Sequence, residues 1–591
     1  MNHPNISQIL SNAYQQYPEK TALTLLFSNQ PEQEISYQQL IEGSAYFART
    51  LQAEGIQPGE VVIIILKHSQ ELVMAFFGSI LSGAVPSIMP FLTEKLLPDH
   101  YRSALEALFE ITKPGFVVTY QDFLPEVKTA SLGTSIREIL ISEEIFDEKN
   151  DHANPQTVEI DFSTLNGTYC QPEEIALLQH SSGTTGLQKG VALSHQAIFN
   201  QLESCKKALN YSRQDIVASW LPLYHDMGLI AGFLMPILVG SRLVLMSPFD
   251  WVRAPHRLLQ AISKYRSTYC WLPNFAYNFC AQKIREKDLE GIDLSCIKAF
   301  INCSEPMYWN SHRMFFERFS KYGLRPGVLA TSYAMAENVF AVTQGGIQSP
   351  VILDTIDRQL LIEKQVAHPV KEFQNQDDAL RRPAEEENLN TLTMLSAGQP
   401  IEGTMISIRD DNGKPVKERV IGEIAIKSNC MLTGYFHRPN LTMQAFADGW
   451  YLTGDLGYCA NNELFITGRK KDLIIVGGKN IYPQDLERLA GEVDGIYPGR
   501  VVAFGVFNEA GGTEDVVILA ETTMDEAQIA NDPKSRERID QISSQIRQRV
   551  TQGSDISLRY VQVVHRNWLI KTSSGKIARS ANRKKYLSQF D

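Results

Sequence analysis

"EEIALLQHSSGTTGLQKG", residues 173–190, sets an apolar run against a loop of glycines, hydroxyl residues and one lysine. A short apolar run bounded by turn residues reads as a buried strand, so the loop is expected to leave a sheet edge. "SHQAIFNQLESCKKAL", 194–209, follows with apolar residues at helical spacing and Ser194 placed as the N-cap. A glycine-rich loop after a strand is suited to holding phosphate. Gly183, Gly186 and Gly190 allow tight backbone turns, Ser181, Ser182, Thr184 and Thr185 offer hydroxyl donors, and Lys189 adds a movable charge. The spacing departs from the G-x-x-x-x-G-K-[ST] loop, and an ordinary polar surface turn would have similar composition. Both readings stay open on the loop alone.

The same alternation extends outward. "VVIIIL" at 61–66 and "GFVVTY" at 115–120 read as strands, and "HSQELVMAFFGSILSG" at 68–83 as a helix ending in glycine. "APHRLLQAISKYR" at 254–266 is a further helix, running into the strand "STYCWLP" at 267–273. Such a sequence implies a layered α/β architecture with largely parallel sheets. At 591 residues the chain exceeds what one core organises, so at least two domains are expected. Two compositional breaks stand out. Residues 363–390 are dense in charge and amide side chains and read as a solvated insertion or partly disordered loop. "GRKKDLIIVGGKNIYPQDLE", 468–487, sets a basic pair between glycine turns ahead of a new helix and reads as a hinge.

The formal charge of −11 argues against affinity for nucleic acid or an anionic membrane. The 8 cysteines show no C-x-x-C spacing, which suggests neither a zinc site nor a disulfide framework and fits a reducing cytoplasm. The N-terminus lacks the pattern of a secretory signal. The longest uncharged apolar run, 227–241, is interrupted by Pro236 and too short to span a bilayer, so a buried core helix is expected there.

Four further segments carry chemistry. "WLPLYHDMGL" places His225 and Asp226 just before the apolar run; a lone histidine there is as readily structural. "SYAMAENVF" offers the aromatic face of Tyr333 and the carboxylate of Glu337, or simply a capped helix start. "YLTGDLGYCANNELFITGRKKD" reads as a hairpin turning at Asn461-Asn462, which brings Asp455 and Arg469 to one end. Carboxylate and guanidinium could there share a ribose, or form an exposed ion pair. "LIKTSSGKIARSANRKKY" places Lys576 in a Ser/Gly turn within a basic tail that could equally be a solvated face.

In this order and spacing the five segments resemble the core motifs of the adenylate-forming superfamily: acyl-CoA synthetases, luciferases, peptide synthetase adenylation domains and fatty acyl-AMP ligases. "PLYHDMGL", "LPNFAYNFC", "NCSEPM" and "GGKNIYPQDLE" are most similar to the fatty acyl-AMP ligases, and Ala336 stands where many CoA ligases have threonine. The stretch at about 349–390 matches that subgroup's insertion. Ala334, Gln188 and Ile570 depart from the usual glycine, proline and proline. The resemblance implies a large, multi-subdomain N-terminal adenylation domain over 1–470 and a small mobile α+β C-terminal domain over 471–591, pivoting at Lys471.

It further implies ATP and Mg²⁺ as cofactors and a fatty acid as substrate. The loop would hold the β- and γ-phosphates, Glu337 and Thr184 the metal, and Tyr333, Ala334 and Met335 the adenine. Asp455 and Arg469 would take the ribose. Lys576 and His225 would act on the carboxylate and α-phosphate. An acyl tunnel would run between the helix after His225 and Trp271, Phe275, Tyr277 and Met307, with Asn302 and Ser304 also at the substrate. The implied acceptor is an acyl carrier protein or a carrier domain of a polyketide or peptide synthase, with the basic tail at 579–585 as its docking surface. A fatty acyl-CoA synthetase and a non-catalytic nucleotide-binding protein are the alternatives.

Overall fold

The computed structural model describes residues 5–91, 98–146, 160–181, 189–383, 388, 390–476, 479–508, 513–554, 558–572 and 575–590. The architecture is α/β, and two sheets carry the parallel character expected of the first half. In the larger, the strands Leu329–Thr331, Ala299–Asn302, Tyr269–Leu272, Ile216–Ser219, Arg242–Met246 and Thr21–Leu26 run parallel, and Gln33–Ser36 closes the edge antiparallel. The smaller orders Val85–Ile88, Val61–Ile64, Phe116–Thr119 and Glu138–Ile141, all parallel. Strands such as Val61–Ile64 are buried along their whole length because helices cover both faces of such sheets.

The opening segment folds as read. Ile175–Ser181 is an edge strand of a three-stranded antiparallel sheet, paired with Lys189–Ser194, which in turn pairs with Gly434–Tyr435. Ser194 then caps the helix His195–Leu209, its hydroxyl accepting from the Ala197 N–H at 3.1 Å. Residues 182–188 lie outside the described residues, so Ser182, Gly183, Thr184, Thr185 and Gly186 have no described position. The loop's two ends meet as a strand pair, Ser181 opposite Lys189.

Two expectations change. The apolar run is buried but not a plain α-helix: Met227–Leu234 is π-helical and passes into the α-helix Met235–Val239, which Gly240 ends in left-handed conformation. Pro236 has no N–H to continue either register, and two glycines bring the segment close to its neighbours. A Cβ on Gly228 would stand 2.2 Å from the Pro222 carbonyl oxygen, and one on Gly232 2.7 Å from Ser219 Oγ.

The described residues of 363–390 likewise form regular elements rather than a solvated loop. The strand Ile352–Asp357 pairs with Gln374–Asn375 and Thr391–Leu395, with the helices Arg358–Lys364 and Gln376–Leu380 between them. Few side chains are buried, among them Leu361, Ala367 and Gln376, and several buried polar groups find their partners in neighbouring elements. The Gln376 amide is fully buried between His312 and the Leu329 carbonyl. Asp354, also fully buried, accepts from Arg419 at 2.8 Å and Tyr458 at 2.7 Å. Paired polar groups build this insertion, which is why its composition reads as solvated.

Beyond Arg469 a separate core forms. Ile474, Leu486, Ile518 and Ile546 pack together beneath the sheet of Ile496–Asn508, Thr513–Thr522 and Tyr560–Val564. Its last strand lies parallel to the middle one. The helix Arg579–Phe590 packs on the other face through Tyr586.

Candidate active site

The hairpin of Trp450–Ala460 and Glu463–Arg469 sets Asp455 opposite Arg469, as the sequence implies. Asn461 and Asn462 both take positive φ, 52° and 64°, which suits asparagine better than most residues at a two-residue turn. Arg469 Nε donates to one Asp455 oxygen at 3.2 Å, and the Tyr333 hydroxyl donates to the other at 2.6 Å. Three residues implied for adenine and ribose thus meet at one carboxylate. Ala334 and Met335 follow Tyr333, half-buried, in a turn bridged to Ala341 and Phe340.

Glu337 lies in the next turn, Ala336–Asn338. Its carboxylate accepts from the Tyr435 hydroxyl at 2.9 Å, and Lys189 lies 4.7 Å from the centroid of the same ring. Burial pushes the Glu337 carboxyl up, Tyr435 and Lys189 oppose this, and the Asp226 charge adds to it. Val339, fully buried and β-branched, takes φ 60° two residues on, so the turn that presents Glu337 is strained. A partly buried hard-oxygen donor near a second carboxylate fits a divalent cation. Among the described residues no group of three or more His, Cys, Asp or Glu ligands forms, and magnesium held chiefly by substrate phosphates needs only one or two carboxylates. Thr184, the other implied metal contact, is outside the described residues.

His225 Nδ1 is 2.6 Å from Asp226 Oδ1, and Asp226 also caps the π-helical segment by accepting from the Met227 N–H at 2.8 Å. Burial opposes ionisation of Asp226, yet His225 and Lys576 outweigh it and hold the carboxyl below its ordinary range. Lys576 reaches this place from far along the chain. Its Nζ donates to the Ser304 carbonyl at 2.6 Å, across 272 residues of chain. Ser304 takes φ 68°, a left-handed conformation rare outside glycine, and its carbonyl is the one that receives the lysine. Glu305 is adjacent. Burial pushes its carboxyl up, whereas Lys576, Lys571 and His225 pull it down, and its carboxylate accepts from the Phe275 N–H at 3.1 Å.

The residues expected along an acyl tunnel do not share one wall. Trp271 borders a small cavity between Ile230, Ala231 and Met235 of the apolar run and Leu202, Cys205 and Leu209 of the facing helix. Phe275 packs edge-on against the stacked pair Trp220 and Trp251, whose ring centroids are 3.6 Å apart. Met307 packs against the insertion's Val351 and Leu353. Tyr277 is fully buried against His312 and Phe315, and does not line the cavity. The Asn302 amide is fully buried too, held between Asn274 and His312 at 3.0 Å each. Both sit where alternating strand and helix positions point into the core, which the motif text alone does not reveal.

Two residues of the basic tail are turned inward, whereas Arg583 and Lys584 are exposed. Arg579 bonds Asp472 at 2.5 Å and Glu487 at 2.7 Å, while Lys585 donates to the Trp568 carbonyl at 2.7 Å and lies over its ring. These two are spent inside their own fold and do not form a docking face. Sequence reading gave no role to Asp226 or Glu305, although each adjoins a residue it did assign. Tyr435 and Tyr451 lack any such signal, since Tyr435 lies 98 residues beyond the carboxylate it touches.

Comparison with known proteins bears on the family. The family model described as AMP-binding enzyme matches residues 10–436. The chain is 28 % identical over 610 residues to the medium-chain-fatty-acid–[acyl-carrier-protein] ligase JamA of Moorena producens, covering 99 % of this chain and 96 % of that one. It is 26 % identical over 615 residues to the long-chain-fatty-acid–AMP ligase FadD26 of Mycobacterium bovis, covering 99 % and 97 %. A solved structure among the fatty acyl-adenylate ligases of E. coli and L. pneumophila superposes with a TM-score of 0.84 at 26 % identity, covering 100 % of this chain and 98 % of that one. The family model spans well over half of the chain, and the protein is a member of the AMP-binding enzyme family.

Proposed function

We propose that the protein uses ATP to convert a fatty acid to its acyl-adenylate and then passes the acyl group to the phosphopantetheine thiol of an acyl carrier protein or carrier domain. The observation that carries the first step is the docking of Lys576 on the Ser304 carbonyl beside His225, Asp226 and Glu305. A fatty acid carboxylate oxygen attacks the α-phosphorus, the bond to the β-phosphate oxygen breaks, and pyrophosphate leaves. Carboxylate and triphosphate repel one another, so the site must supply cations and alignment. Lys576 shifts from the Ser304 carbonyl to bridge the incoming carboxylate and the α-phosphate. Lys189 and the loop's hydroxyls hold the departing phosphates. Tyr333 stacks on adenine, Asp455 and Arg469 fix the ribose, and His225 lines the carboxylate's approach. Mg²⁺, held by Glu337 and Thr184, supplies positive charge to the phosphates when bound.

Division of the chain near residue 470 belongs to this reading. Lys576 lies beyond it and most of the site before it, so the two parts close for adenylation and reorient about Lys471 for thiol transfer. Preference for a carrier protein over free CoA rests on the insertion. Ile362 packs against the core of the C-terminal part, and the Tyr482 hydroxyl donates to Gln365 at 3.3 Å. Such contacts oppose the swing that opens a path for the thiol, and a docked carrier protein repays that cost with its own binding free energy. JamA, whose name specifies an acyl-carrier-protein ligase, supports the same acceptor.

The test loads the protein with a labelled fatty acid and ATP, then offers CoA and phosphopantetheinylated carrier protein in competition. Label passing mainly to the carrier is expected. Efficient transfer to CoA would overturn the acceptor reading and make the protein a fatty acyl-CoA synthetase.

A further inference from the structure

Tyr435 stands where three parts of the site meet. Its two-residue strand, Gly434–Tyr435, pairs antiparallel with Lys189–Ser194, and the Phe436 N–H donates to the Gly190 carbonyl at 2.8 Å. The backbone of Tyr435 is thereby fixed against the point where the phosphate-loop segment re-enters the sheet. The side chain is only 5 % exposed. Its ring carries the Lys189 ammonium 4.7 Å from the centroid, while its hydroxyl donates to Glu337 Oε1 at 2.9 Å and meets the Tyr451 hydroxyl at 3.0 Å. The Leu432 N–H also donates to the Glu337 carbonyl at 2.8 Å, tying the same segment to the backbone of the carboxylate's turn.

We propose that Tyr435 is a positioning residue that sets the spacing between the metal-binding carboxylate and the phosphate-binding cation: its hydroxyl orients Glu337 and its ring holds Lys189. The proposal rests on the adenylation reading, since it takes Glu337 as the ligand of a divalent cation. Two of the three partners would otherwise be free to turn. A carboxylate on a flexible side chain has several rotamers, and the Tyr435 hydroxyl, together with the Glu337 N–H, selects among them. Even from a strand, a lysine ammonium on a four-carbon stem has a wide range, and an aromatic face beneath it restricts that range without neutralising its charge. Tyr451, hydrogen-bonded behind Tyr435, orients the hydroxyl that does this.

The two halves of the role separate by substitution. Tyr435→Phe keeps the ring under Lys189 and removes the hydroxyl from Glu337, whereas Tyr435→Leu removes both. Manganese binding is read by electron paramagnetic resonance in the presence of α,β-methylene-ATP, and binding of the same nucleotide is measured in EDTA. Tyr435→Phe is expected to weaken manganese binding about tenfold, the scale of one hydrogen bond to a charged group, while nucleotide affinity without metal stays as in the unaltered protein. Tyr435→Leu is expected to weaken both. Unchanged manganese binding in Tyr435→Phe overturns the proposal, as do equal losses in both measurements for both variants, which would mark a packing role only. If the unaltered protein binds neither manganese nor nucleotide, the adenylation reading falls and takes the proposal with it.

Discussion

At the scale of single residues the site is organised by carboxylates with more than one partner. Asp455 receives Tyr333 and Arg469, so its removal acts twice. Asp455→Ala is expected to raise the KM for ATP in pyrophosphate exchange and to cost about 1–3 kcal/mol in a denaturant melt, because the buried Tyr333 hydroxyl loses its acceptor. Loss of activity with no rise in that KM would contradict a ribose role. Glu305 offers a cleaner separation. Glu305→Gln leaves an oxygen for the Phe275 N–H but removes the negative charge beside Lys576. It should slow exchange about tenfold or more, as expected when a lysine is less well preorganised, with the melting temperature unchanged. An unaltered rate would mean that Ser304 alone seats the lysine.

At the scale of elements, the sequence was most informative where one local rule decides the structure. Ser194 caps its helix, Asn461 and Asn462 take the positive φ of a tight hairpin, and Asp455 meets Arg469 because the turn fixes the register. It was least informative where the outcome depends on distant partners. Gln376 and Asp354 look like surface residues until His312, Arg419 and Tyr458 surround them. Tyr277 and Asn302 lie in motifs that carry site residues but turn into the core. The π-helical turn after His225 was equally illegible, since it arises from the close approach of Gly228 to Pro222. That approach yields a prediction. Gly228→Ala would set a methyl 2.2 Å from the Pro222 carbonyl oxygen and so must displace the segment that begins at Asp226. A loss of about 1–3 kcal/mol is expected, together with reduced exchange activity as His225 moves. A melting curve matching that of the unaltered protein would show that the segment yields at no cost.

At the scale of the whole molecule, Lys576, the insertion and Tyr482 all bridge the cores before and after Arg469. Breaking the insertion's link, with Ile362→Ser and Gln365→Ala together, should increase acyl-CoA formation and leave acyl-adenylate formation largely intact, as liquid chromatography of the two products would show. No gain in acyl-CoA would remove the insertion as the barrier to free CoA. The proposed adenylation rests on the contact between Lys576 and Ser304. Its most direct measurement is ATP–pyrophosphate exchange over a panel of fatty acids, with the unaltered protein and Lys576→Ala side by side. The account predicts exchange that depends on the fatty acid and falls by on the order of 10²-fold or more in the variant, with no change in melting temperature. Exchange with no fatty acid in the panel, or equal exchange in both proteins, would contradict it.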